Sequence, residues 1–136
     1  MINPKDFLPM PPWQGPPLPG GKLHSSRPHI EDVKDVARGV KPVALVDERA
    51  MEFGKTLGLD FIKVPEGTFG VQLKNRLAWI VYPRGKEEAA MRILKIFEKY
   101  PLGVGPRPPQ YHIELGKALG YSEADINLFI KTFFGV

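Results

Sequence analysis

The chain predicts a small α/β or α+β domain: a mixed sheet of about four strands with helices packed on it, a C-terminal helical hairpin and an extended Pro-rich N-terminal arm. Three observations predict it. Helix-period and strand-like apolar stretches alternate between residues 30 and 100. Two further helix-period stretches close the chain behind a Pro/Gly-rich connector (LGVGPRPPQ). Seven of the fifteen prolines fall within the first twenty residues, MINPKDFLPMPPWQGPPLPG. A chain of 136 residues accommodates one globular domain, expected over 23–136, and an appendage over 1–22.

The arm does not have the composition of a solvated spacer. Phe7, Leu8, Met10, Trp13 and Leu18 are threaded between its prolines, where a flexible linker would carry Ser, Gly, Glu or Lys. Proline removes backbone donors and holds the chain near polyproline II, which rules out a helix or a central strand. In that form twenty residues reach about 60 Å, farther than the diameter of a domain of this size. The five apolar side chains are therefore expected to meet a surface, either on their own domain, on a twin subunit or on another protein.

The remaining elements follow in order. Lys22–His29 reads as a polar connector ending at Pro28. Ile30, Val33, Val36 and Ala37 then form a helical stripe over Ile30–Arg38, with Glu31 and Asp32 in the first turn, where the helix dipole favours acids. Val43–Val46 reads as a buried strand. Asp47 is placed to cap a helix over Glu48–Leu57, and Asp60–Val64 follows as a second strand. This strand–helix–strand spacing suits a compact βαβ crossover. Val71–Leu73 and Leu77–Tyr82 flank a tight turn at Lys74-Asn75-Arg76. The run LAWIVY is apolar at every position, as in a central strand covered on both faces. Lys86–Tyr100 has the clearest helical stripe, with Ala90, Ile93, Leu94 and Phe97 on one side. The closing helices are expected at Tyr111–Leu119 and Glu123–Phe134.

Composition narrows the chemistry. There is no cysteine, which excludes disulfides, thiolate nucleophiles, thiolate zinc sites and iron–sulfur clusters. Asn and Gln number three each, a pattern that points to a thermophilic source. Net charge is +4, but the excess is spread thinly: residues 30–100 carry thirteen bases and eleven acids, and 101–136 carry three of each. Non-specific nucleic-acid binding rests on clustered Lys and Arg. No apolar run approaches the roughly 18–20 residues of a membrane span, and prolines interrupt any signal-peptide core, so a cytoplasmic location is expected.

Glu114 to Lys131, ELGKALGYSEADINLFIK, carries Ala118, Leu119, Gly120, Ser122 and Ile126 at the turn and second helix of a familiar arrangement. It resembles the helix-turn-helix of repressor-type DNA-binding domains over about eighteen residues, and the resemblance implies that Glu123–Phe133 enters a major groove. The residues themselves point elsewhere. Glu123 and Asp125 would face phosphates at the amino end of that helix, and Leu128, Phe129, Ile130, Phe133 and Phe134 are too apolar for a groove-facing surface. On that chemistry the segment is a packed helical hairpin, with Gly120 as a helix stop and Ser122 as a cap.

Other candidates are weaker in pattern. His24 and His29 with Glu31 and Asp32 can be drawn as a metal site, but Pro28 between the histidines leaves no shared helical face, and no metal or cofactor is expected. His112-Ile113-Glu114 matches half of a zinc-deaminase signature whose cysteine half is missing. Asp47 and Glu48 lie past the carboxyl end of a strand, where open α/β sheets bind ligands, yet no phosphate-binding glycine loop follows. Lys74 and Arg76, with Arg84 and Lys86 after the next strand, are candidates for nucleic-acid or phosphate contact. A solvated hairpin tip is the simpler reading of them. No catalytic set is recognised.

The expected function is that of a non-enzymatic interaction or assembly protein, a small accessory subunit. Its arm would dock on a protein partner or within a homo-oligomer through Phe7, Leu8, Met10, Trp13 and Leu18. The alternatives are a nucleic-acid-binding protein using the C-terminal hairpin, or a small enzyme drawing on Asp47, Glu48 or His112. No family is recognised across the full length.

Overall fold

A computed structural model of the protein describes residues 28–70, 76–103 and 107–135. The described residues fall into two compact units, 28–103 and 107–135. Residues 1–22, with the five apolar anchors of the arm, lie outside the described residues, as do the expected strand Val71–Leu73 and the turn residues Lys74 and Asn75.

The first unit contains α1 (His29–Ala37), β1 (Ala44–Val46), α2 (Glu48–Thr56), β2 (Asp60–Lys63), β3 (Trp79–Tyr82) and α3 (Glu87–Lys99). The three strands form one sheet in the order β1-β3-β2, and both outer strands run antiparallel to β3. β1 and β2 therefore point the same way and are joined through α2, as the βαβ spacing predicts. They are not neighbours, because β3 lies between them, and the expected mixed sheet is antiparallel at every described pairing. The spacing sets the direction of two strands, but it does not say which later strand pairs with both.

The pleat explains why LAWIVY carries no polar position. Ala44, Val46, Trp79 and Val81 share one face by register, and Val33, Val36, Ala50 and Met51 of α1 and α2 pack on it. Ile80 and Tyr82 point to the opposite face, where α3 packs against β3. β3 is thus buried between two helical layers. Gly54 lets α2 approach this core closely. A Cβ there would stand 3.2 Å from Val81 Cγ1 and 3.3 Å from Val33 Cγ1.

The second unit is the pair α4 (Pro109–Ala118) and α5 (Glu123–Phe134), which pack on one another. Ser122 caps α5 by accepting the Asp125 N–H at 3.1 Å. Gly120 adopts φ +90° in the turn, a conformation that costs an L side chain about 1 kcal/mol or more. Leu115, Ala118, Leu119, Ile126 and Ile130 are buried.

α3 begins at Glu87, one residue after the expected Lys86, and two helices begin earlier than the sequence predicts. α1 begins at His29, which the sequence places in the connector, and α4 begins at Pro109 with Gln110 inside it. Both follow a proline in extended conformation at the cap, and α4 places a second proline at its first position, where the missing N–H is harmless. Among the described residues no helix is long and apolar enough to cross a membrane.

Candidate functional site

The carboxyl end of β1 gathers the most chemically active side chains of the first unit. β1 ends at Val46, and Asp47 caps α2 at once, its Oδ1 accepting the Ala50 N–H at 2.9 Å. His29, the first residue of α1, reaches the same point. Its Nδ1 accepts the Asp47 backbone N–H at 3.0 Å, while Asp47 Oδ2 stands 3.5 Å from that nitrogen. One turn along α1, Asp32 faces Lys41, with 3.9 Å between Oδ1 and Nζ. The two side chains are only 5% and 3% exposed, so both charges are withdrawn from water.

The electrostatics of His29 follow from this crowd. Burial is the largest influence and holds the imidazole below its ordinary value of 6.5. Asp32 and Asp47 act in the opposite sense, and Arg76, in the turn before β3, adds to the lowering. The ring is therefore neutral at pH 7. Because Nδ1 is spent as an acceptor, its proton sits on Nε2.

Around the same end of the sheet, Lys63 pairs in register with Trp79 and carries its ammonium 4.9 Å above the indole. Phe61 meets Trp79 edge-on at 5.6 Å, with Lys55 5.2 Å from the Phe61 ring centre. Each contact is a cation–aromatic or aromatic pair of modest strength. Among the described residues, Trp79 Nε1 is the buried side-chain polar atom that has no hydrogen-bond partner. A shallow cavity of about 120 Å³ lies nearby, lined by Lys63, Val64, Glu66, Phe69, Leu77 and Ala78.

In the second unit His112 is packed by rings: Tyr111 at 4.9 Å, Phe129 at 5.0 Å and Phe134 at 5.4 Å between centroids. Burial, aided by the Arg107 guanidinium, pushes its pKa down to about 4. Tyr111 is pushed up to about 12 by burial, against the influence of Arg107, which lies 4.8 Å over its ring.

The structure unites two residues that the sequence treated separately, His29 as a metal candidate and Asp47 as a helix cap. It does not bring Arg76 together with Arg84 and Lys86. The first precedes β3 and the other two follow it, at the opposite end of the strand. Arg84 instead lies 3.7 Å from Asp60. Glu48 is exposed beside its cap. No group of three or more His, Asp or Glu side chains able to hold a metal occurs among the described residues. Sequence reasoning missed Lys41. Nothing local marks a lysine beside Pro42 as buried, since its burial depends on Asp32 arriving from another element. At the hairpin, Glu123 is exposed and Asp125 half-buried at the amino end of α5, so the carboxylates stand where a groove-reading helix would meet phosphates. No known protein family, curated protein or solved structure matches this chain.

Proposed function

We propose that the chain is a non-enzymatic interaction or assembly protein of the cytoplasm, a small accessory subunit that docks through its Pro-rich N-terminal segment. One observation carries this reading: Phe7, Leu8, Met10, Trp13 and Leu18 are interleaved with seven prolines in twenty residues. Exposed large apolar groups are costly in water, and a stiff proline-rich chain loses less entropy on docking than a flexible one. Aromatic anchors dominate such contacts, which singles out Phe7 and Trp13. A protein partner or a second copy of the chain is the fitting receptor.

A second reading rests on the hairpin. The four-residue turn from Leu119 to Ser122, with Gly120 at φ +90° and a capped α5, has the local form of a helix-turn-helix. Its carboxylates weigh against a phosphate-facing role.

One experiment separates the two readings. Phe7→Ala/Trp13→Ala is compared with the parent chain by sedimentation and by pull-down. At about 2 kcal/mol per anchor the double variant weakens association by about three orders of magnitude in Kd, while circular dichroism is unchanged. Unaltered association removes the docking role. The same two proteins are titrated with labelled duplex DNA at low salt, and binding that both retain equally supports the hairpin reading.

A further inference from the structure

We infer that His29 and Asp47 form a proton-controlled clasp between the start of α1 and the β1–α2 junction: the deprotonated imidazole holds the Asp47 backbone amide, and the protonated one gives it up for the Asp47 carboxylate. The inference does not depend on the proposed role of residues 1–22.

A neutral imidazole protonated on Nε2 offers a single lone pair on Nδ1. With the Asp47 N–H 3.0 Å away, that lone pair is occupied. Asp47 Oδ2, 3.5 Å from the same nitrogen, is too far for a good hydrogen bond, yet it is the oxygen placed to receive a proton carried by Nδ1. The two arrangements exclude one another, because Nδ1 either accepts or donates. Protonation therefore strips the Asp47 amide of its acceptor and draws the carboxylate toward the ring. That carboxylate also holds the first turn of α2 through Ala50, so the change reaches the helix cap.

The surrounding charges set the range. Asp32 of α1, itself facing Lys41, and Asp47 of the β1–α2 junction favour the imidazolium. Arg76, before β3, and burial oppose it and prevail, so the clasp is closed at neutral pH and opens in the acid range. The contact lies at the first turn of α1.

The test uses the full chain labelled with ¹⁵N. Long-range ¹H–¹⁵N spectra assign the His29 tautomer, and hydrogen exchange reports on the Asp47 amide from pH 8 to pH 5. The expected result at pH 8 is an Nε2–H tautomer with a protected Asp47 amide. On acidification that amide loses protection at least tenfold, following the His29 titration with a midpoint below 6.5. His29→Asn supplies a non-titrating carbonyl acceptor and keeps the amide protected throughout. His29→Ala exposes it at every pH, and the other two proteins decide the matter if that variant does not fold. An Nδ1–H tautomer at pH 8 overturns the clasp. So does an Asp47 amide indifferent to the His29 titration, or an acid transition that persists in His29→Asn.

Discussion

Among the described residues each unit withdraws one histidine from water, and the two are handled differently. In the first unit His29 stands among charges and hydrogen-bonding groups: Asp32 with Lys41, the Asp47 amide and carboxylate, and Arg76. In the helical pair His112 stands among the rings of Tyr111, Phe129 and Phe134, with Arg107 as the charge that acts on it. A polar group taken out of water needs a partner or must stay neutral. The first unit supplies partners, because a strand end and the first turns of two helices meet there. The hairpin supplies apolar packing, and its imidazole responds by holding a much lower pKa.

The largest test of that contrast is Asp32→Ala, which takes away the carboxylate facing the buried Lys41 ammonium. It should lower unfolding free energy by about 3–5 kcal/mol in a denaturant titration. Asp32→Leu with Lys41→Met should restore most of the loss. A deficit below about 1 kcal/mol for Asp32→Ala would mean that the first unit does not depend on paired buried charge.

Next in size is the acid response of the hairpin. His112 titrates at about 4 when folded and near 6.5 when unfolded. Between those values the unfolded chain binds more protons, so stability is complete above pH 6.5 and is lost as the pH falls toward 4. The expected loss between pH 7 and pH 5 is about 1–2 kcal/mol, measured from denaturation midpoints. His112→Leu should flatten that part of the profile and leave the contribution of His29, which has the same sign. A profile unchanged by His112→Leu would dissolve the contrast between the two histidines.

The smallest effects compare the two caps. Ser122→Ala removes a side-chain acceptor at α5 and should cost about 1 kcal/mol. Asp47→Ala removes the equivalent acceptor at α2 together with the carboxylate that faces His29, and should cost about as much as Ser122→Ala while His29 is neutral and more once it is protonated, by chemical unfolding above and below its titration. Equal losses in acid would show that the Asp47 carboxylate does no more than cap.

Much of the fold was legible from local pattern. The stripe Ala90, Ile93, Phe97 announced α3, Asp47 and Ser122 announced the starts of α2 and α5, and the unbroken apolar run at Leu77–Tyr82 announced a strand covered on both sides. The candidate site was only half legible. The sequence marks Asp47 as a cap and His29 as a metal candidate, but eighteen residues separate them and no spacing rule links them. By sequence Asp32 is a first-turn acid serving the helix dipole. Its buried ion pair with Lys41 left no trace in either residue's neighbourhood.

What the amino-acid sequence determined alone is whatever depends on neighbours within a few positions: helix stripes, caps, turns and the proline-stiffened, apolar-studded character of residues 1–22. The tertiary structure alone decided the strand order β1-β3-β2, the two-sided burial of β3, and the meeting of His29 with Asp47 and of Asp32 with Lys41. The physical reason is range. Hydrogen-bond periodicity and capping act along the chain, while desolvation and charge pairing are settled by groups that become neighbours only when separate elements pack.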